Sequence, residues 1–334
     1  MESLEALGRR IGIVEQLDAV VGTMKALAQV NIRHSERAVH AVRLYRRTVE
    51  WSLAGVLDPR VWPVPAPAPA PGGAQAPRHR RDGGTGHEAT LAGLLVFGSD
   101  HGLCGRFNAD LLARASTLVG EPRAGRVVPI RTLAVGLRVE RGLEDLGVAA
   151  EVVLPVPGSA ERIPDTVQLL LGHLERWRAD GVGRVRVLHN RLEGPARIET
   201  RLQDLLPLDL RAIVRAAGPW PGRTAPMHTM AAEPLLAAIV RQYIFVLLFG
   251  ACAESFAAEN AARLAAMQAA QKMLAEKHAG LKADYRHRRQ ERITAEMLDV
   301  VAGFEASLGP GLRAETAADP AVPHAGSPVC DDER

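Results

Sequence analysis

The sequence predicts an α/β protein: long N- and C-terminal helices that form an antiparallel coiled coil, with a Rossmann-like α/β domain inserted between them. Three observations predict it. Two long proline-free stretches lie towards opposite ends of the 334-residue chain. Both carry apolar or small residues at helical spacing. Between them, short apolar runs alternate with helical segments, which implies a mostly parallel sheet covered on both faces.

The C-terminal stretch, about Ala232 to Leu308, dominates the chain. Pro234 suits a first helical position, where its missing N–H is not needed. No further proline occurs before Pro310, and only Gly250, Gly280 and Gly303 interrupt strong helix formers. At 1.5 Å per residue such a helix is roughly 110 Å long and needs a partner or a sleeve. Ala251, Ala258, Ala261, Ala262, Ala265, Ala266, Ala269 and Ala270 place small side chains where another helix can approach closely. Residues 1–57 read as the second long helix. There Leu4, Leu7, Ile11, Val14, Val21 and Ala28 step by three, four and seven, the spacing of a coiled-coil seam. Arg9, Arg10, Glu15 and Asp18 fall largely off that stripe.

Residues 58–89 read as an exposed insertion or linker. Pro63 to Pro77 alternates proline with alanine or valine, which favours extended polyproline II and offers little to pack. The central domain, 90–218, contains expected strands at Leu91–Phe97, Arg131–Val135, Glu151–Val156, Arg184–His189 and Ala196–Gln203. Expected helices lie at Asn108–Val119, Arg138–Leu146 and Ile163–Ala179. A linker at 219–231 leads to the long helix at 232–308, and the tail 309–334 reads as disordered.

Composition narrows the function classes. An apolar fraction of 47% supports a sizeable core, and aromatics at only 4% favour long helices over sandwiches. A net charge of +3, with a pI near 9.0, is too mild to indicate nucleic acid. Cys104, Cys252 and Cys330 are odd in number and far apart, against a disulfide framework or a zinc site. No secretory signal is expected, because Glu2, Glu5 and Glu15 interrupt the N-terminus. The most apolar run, Tyr243 to Ala253, is eleven residues, whereas a membrane span needs about twenty. A soluble protein that can belong to a membrane complex is expected.

The turn after the first strand, Gly98 to Asn108, is glycine-rich but is not G-x-G-x-x-G, and no Gly-Lys pair supplies a phosphate loop. Asp100 and His101 can be drawn as an acid/base pair with Cys104 as nucleophile. The plainer reading is a strand-to-helix turn in which Cys104 is a small buried residue. His287, set among Arg286, Arg288, Arg289 and Arg292, is a poor metal ligand. That arginine cluster is either a solvated helix face or a basic collar for acidic partner loops. Met24, Met267 and Met273 read as core residues. No catalytic residue, cofactor site or metal site is expected.

Separate stretches, quoted as they stand, resemble the gamma subunit of F-type rotary ATP synthases, with enough divergence to include alternative rotary ATPases. Leu7-Gly8-Arg9-Arg10-Ile11-Gly12-Ile13-Val14 and Thr23-Met24-Lys25-Ala26-Leu27-Ala28 are similar to its N-terminal motifs. Gly102-Leu103-Cys104-Gly105-Arg106-Phe107-Asn108 is similar to its G-L-C-G-G-F-N signature. Glu259 to Met267 resembles its S-E-x-A-A-R-M-x-A-M motif. Arg289-Gln290-Glu291-Arg292-Ile293-Thr294-Ala295-Glu296 and Val301-Ala302-Gly303 resemble its closing motifs, and Leu205-Leu206-Pro207-Leu208 fits the end of its central domain. Arg106, Ala258 and Leu27 depart from the pattern, and the 58–89 insertion and the tail are additions to it.

The resemblance implies a central rotor shaft that couples ion flow to ATP synthesis or hydrolysis in a ring of alpha and beta subunits. It implies an epsilon subunit and a membrane c-ring as further partners, and a place peripheral to the cytoplasmic face of the bacterial inner membrane. It also implies that Met24, Lys25, Arg263, Arg289, Gln290, Thr294 and Glu296 contact the hexamer or tie the two helices together. A free-standing coiled-coil scaffold that forms a homodimer is the competing reading. An enzyme built on the α/β domain is another, which tight nucleotide binding by the isolated chain would support.

Overall fold

The computed structural model describes residues 3–57, 91–120, 130–194, 197–218, 220, 222, 224 and 227–307. The 58–89 insertion, the 309–334 tail with Cys330, and much of the 219–231 linker lie outside the described residues. The chain forms two compact units. One is Ala19–Lys272; the other combines the chain up to Asp18 with the chain from Met273. The helices α1 (Leu4–Leu57) and α6 (Ala232–Ser307) each contribute to both.

In the larger unit, β1 (Ala92–Phe97), β2 (Ile130–Val135), β3 (Ala150–Leu154), β4 (Arg184–Glu193) and β5 (Arg197–Leu206) form one sheet in the order β3-β2-β1-β4-β5. The first four strands are parallel, and β5 pairs antiparallel with β4 at the edge. Every residue of β1 is buried. A central parallel strand reads as a continuous apolar run because both of its faces are covered. Successive side chains alternate between those faces. Leu95 and Phe97 join the layer of α4 (Ile163–Ala179), through Ile163, Val167, Leu170, Leu174 and Trp177. Leu94 and Val96 join the opposite layer of α2 (Phe107–Gly120) and α3 (Leu137–Asp145), through Phe107, Leu111, Ala115, Val139 and Leu143.

The α6 helix serves both layers. Tyr243, Val246, Leu247, Leu248 and Ala251 to Ala253 pack with the α4 layer, and Ala258 packs with the α2/α3 layer. Between them Ser255 Oγ donates to the Phe97 carbonyl at the end of β1, at 3.2 Å. The small residues Ala251 and Ala258 therefore admit the sheet layers closely, whereas the sequence reads the whole alanine stripe as a seam for another helix. The α1 helix runs antiparallel to α6 within this unit: Lys25 bonds Gln271, Asn31 bonds Asn260, Arg43 bonds Glu254 and Arg46 bonds Tyr243.

Several local readings need correction. The hairpin of β4 and β5 is longer than its apolar residues suggest, because an edge strand exposes one face and alternates polar with apolar residues. A short helix, α5 (Leu210–Ala217), was not legible as one; the Asp209 carboxylate caps it by accepting from Ala212 N at 2.9 Å. Met267 is buried, but Met273 is 69% exposed and is not a core residue. The apolar region of α6 also extends beyond eleven residues. An 18-residue window of mean hydropathy 2.0 is long and apolar enough in composition to cross a membrane, with 33% of it buried within the protein.

In the smaller unit, Leu7 and Val14 of α1 and Leu281 of α6 are buried, flanked by Ile11, Leu274 and Tyr285. Beside them the Glu15 carboxylate accepts from His278 at 2.9 Å and pairs with Lys282 at 3.4 Å. The hydrogen bond from His278, then that from Lys282, holds the Glu15 carboxyl below its usual range.

Gly136 joins β2 to α3 with φ at 116°, a left-handed conformation, and a Cβ there would lie 2.7 to 2.8 Å from Ser99 backbone atoms. Gly136→Ala is expected to lower stability by roughly 1–3 kcal/mol in chemical denaturation. Gly102→Ala, where nothing lies within 4 Å of the added atom, should leave the denaturation midpoint almost unchanged.

Candidate functional site

The signature turn after β1 is held by a compact set of polar contacts. Asn108 Oδ1 accepts from Ser99 N at 3.2 Å, while Asn108 Nδ2 donates to Ser99 Oγ at 2.8 Å and to Cys104 Sγ at 3.6 Å. Ser99 Oγ donates in turn to the His101 carbonyl at 2.8 Å. Phe107 anchors the start of α2 in the core, and Leu103 and Gly105 take positive φ values of 63° and 57° to bring the chain around. Cys104 is buried, and burial pushes its thiol up, away from the thiolate a nucleophile needs.

Asp100 is committed elsewhere. Its carboxylate accepts from Leu137 N and Val156 N, both at 3.0 Å, and so ties the turn to the segments that follow β2 and β3. Asp100, His101 and Cys104 therefore make a structural turn, not an acid, a base and a nucleophile. Open α/β sheets bind ligands in the crevice outside the carboxyl ends of their strands. In this chain α6 lies across the end of β1, with Ser255 on the Phe97 carbonyl and Ala258 in the core beside it.

A buried polar cluster sits on the next turns of α6. Glu259 is 4% exposed and accepts from Arg263 at 2.6 Å, while its Oε2 has no hydrogen-bond partner. Burial raises the Glu259 carboxyl, and the charge and hydrogen bond of Arg263 only partly oppose it. Asn260 donates to the Phe256 carbonyl and accepts from Asn31 of α1. Nearby, Lys25 Nζ donates to Gln271 Oε1 at 2.9 Å, and Met24 is half-buried. These residues already have partners within the chain.

The remaining residues lie on a different kind of surface. Every residue from Arg289 to Ser307 is exposed. Thr294 Oγ1 donates to the Gln290 carbonyl at 3.0 Å, and Arg292 pairs with Glu296 at 2.9 Å. Upstream, His287 lies 3.2 Å from Glu291. Ile293, Met297, Val300, Val301 and Phe304 are between 49% and 71% exposed. Their spacing of three, four, seven and eleven aligns them along one side of the helix. An apolar stripe of this kind marks an interaction surface. Arg289, Gln290, Thr294 and Glu296 decorate that same segment. Sequence reasoning singled out the polar residues and missed Ile293, Met297 and Phe304. Their helical periodicity was visible, but a stripe of this kind is normally assigned to a partner helix in the same chain.

The chain matches the family model described as ATP synthase over residues 3–307. The ATP synthase gamma chain of Bacteroides thetaiotaomicron is 25% identical over 311 residues, covering 91% of this chain and 99% of that protein. Two solved chains come from Euglena gracilis mitochondrial ATP synthase. One is from its rotor in rotational state 1, with a TM-score of 0.55 and 14% identity, covering 87% of this chain and 98% of that one. The other is from its OSCP/F1/c-ring assembly in rotational state 3, with a TM-score of 0.56 and 14% identity, covering 97% and 99%. At that identity the likeness is one of fold.

The buried pair yields a test. Arg263→Met leaves Glu259 buried without its counter-charge, which should cost roughly 3–5 kcal/mol at neutral pH. Because the folded state raises the Glu259 pKa above its ordinary 4.5, its contribution favours folding below that value and is lost as pH rises through the raised one. Chemical denaturation of Arg263→Met should show a steeper loss of stability with rising pH, and Glu259→Gln should abolish that component.

Proposed function

Because this chain belongs to the gamma-chain family of ATP synthases, we propose the following for its individual parts within the central rotor shaft. The chain is a rotor subunit and is not itself catalytic; the alpha and beta subunits around it hold the nucleotide sites. Its partners also include the epsilon subunit and the membrane c-ring. The observation that carries the reading is the exposed end of α6, where apolar side chains stand uncovered from Ile293 to Phe304. Helices in water are held mainly by burying an apolar face, so this segment calls for a sleeve from other subunits.

Residues 1–57 and 232–308 form the shaft, and 90–218 form its α/β domain. Met24, Lys25 and Arg263 tie the shaft together; the bond from Lys25 of α1 to Gln271 of α6 supports this, while Arg263 pairs with Glu259 within α6 itself. Arg289, Gln290, Thr294 and Glu296 face the hexamer. A single asymmetric shaft cannot touch three equivalent beta subunits alike at once. Each nucleotide site is thereby held in a different state, and rotation passes the states around the ring. Affinity at the sites and torque on the shaft are two ends of one coupling free energy.

A polar and charged set on the contact helix suits this task, because it can engage, release and engage again. A place peripheral to the cytoplasmic face of a bacterial inner membrane belongs to the same proposal, and the likeness to a bacterial gamma chain supports it. The complex translocates protons or sodium ions, a choice made in the membrane ring. A free-standing scaffold is not favoured, since it gives no reason for the family motifs along both helices.

Co-expression with alpha and beta subunits, followed by native mass measurement, tests the reading. One copy of this chain with three alpha and three beta subunits is expected. ATP hydrolysis by that complex should fall several-fold when Arg289 and Gln290 are both changed to alanine. A stable homodimer that ignores alpha and beta would overturn the rotor assignment.

A further inference from the structure

A cleft of the larger unit, with a volume of about 460 Å³, carries an excess of positive charge. Its walls come from α1, α6 and the β4–β5 hairpin, and it is lined by Arg43, Arg46, Arg191 and Arg201, with Glu254 as its one carboxylate. The hairpin register explains the convergence. His189 pairs with Arg201 across the two strands, so their side chains leave the same face. Arg191 follows two residues after His189 and shares that face.

The charges do not cancel. Arg46 is neutralised by Glu50, at 2.7 Å, and also reaches the Tyr243 hydroxyl. Arg43 lies 3.2 Å from Glu254, and Arg191 Nε lies 3.9 Å from it. His189 Nε2 is also on Glu254, at 3.3 Å. Within the cleft one carboxylate thus stands against Arg43, Arg191 and Arg201; Glu199, opposite Arg191 across the two strands, is exposed and outside the lining. Glu254 is ionised there: burial works to raise its carboxyl, but the hydrogen bonds from His189 and Arg43 and the charge of Arg191 hold it net below its usual range.

Two donors are left over. Arg191 Nε is buried with no hydrogen-bond partner. The Arg201 side chain has no ion pair or hydrogen bond among the described residues. A surplus of guanidinium groups in a concave, partly apolar site concentrates anions, and the guanidinium fork matches the oxygens of a phosphate group. The cleft is much larger than one phosphate, and Val42, Val246 and Leu247 offer an apolar wall beside the arginines.

We propose that this cleft binds a small phosphorylated molecule, whose phosphate oxygens accept from Arg191 and Arg201 while its organic body rests on the apolar wall. The proposal does not depend on how the Arg289–Ser307 surface is used.

Arginine labelling with phenylglyoxal, mapped peptide by peptide on the purified full chain, tests this with pyrophosphate as the probe. Pyrophosphate should protect Arg191 and Arg201 in a saturable way, while the exposed Arg114 of α2 continues to react. Arg201→Gln, at an exposed position without partners, should fold normally and weaken protection of Arg191 roughly tenfold. Equal protection by potassium chloride at matched ionic strength would overturn the proposal, because it would show charge screening only. Labelling that pyrophosphate leaves unchanged, or an Arg201→Gln variant that protects Arg191 as well as the parent does, would overturn it too.

Discussion

The contact on which the structure depends is the burial of α6 between Tyr243 and Ala258. Over that stretch one helix packs with both layers of the α/β sandwich and meets the end of its central strand through Ser255 and the Phe97 carbonyl. A helix normally covers one face of a sheet. This one also meets the carboxyl end of β1, on the side where α/β folds usually receive a ligand. The α/β domain is thereby joined to the helix through both of its layers.

Polar groups in the larger unit follow the same logic. Asp100 uses both carboxylate oxygens on the backbone N–H groups of Leu137, at the start of α3, and Val156, after β3, so an apparent acid is spent on holding the carboxyl ends of the strands together. Glu259 is buried beside Arg263, and an ion pair so placed adds little net stability but is costly to break. Lys25 to Gln271 and Asn31 to Asn260 are hydrogen bonds between helices whose apolar seam alone would tolerate slippage. They set the register of α1 against α6 within that unit.

The smaller unit shows the opposite economy. Leu7, Val14 and Leu281 form a modest apolar cluster, and beyond it α6 carries Ile293, Met297 and Phe304 into solvent. Such a surface is unfavourable in a free chain and makes sense in an assembly. Strong association and free exposure are both built into one helix, separated along its length.

Much was legible in the sequence, and for a physical reason. Helical and strand periodicities are properties of the local backbone, so α1, α4, α6 and the buried strand β1 followed from the spacing of apolar residues. The rotor family was legible too, because its motifs lie in short contiguous stretches such as Gly102 to Asn108 and Arg289 to Glu296. Which faces meet is a long-range matter that no local spacing records. Only the tertiary structure decided that Ala251 and Ala258 face the sheet layers, that Asp100 binds the backbone at Leu137 and Val156, and that Met273 is exposed. It alone decided that Arg43 of α1 shares one cleft with Arg191 and Arg201 of the distant β4–β5 hairpin, because their convergence depends on the strand register and on the side of α6 that the core had already claimed.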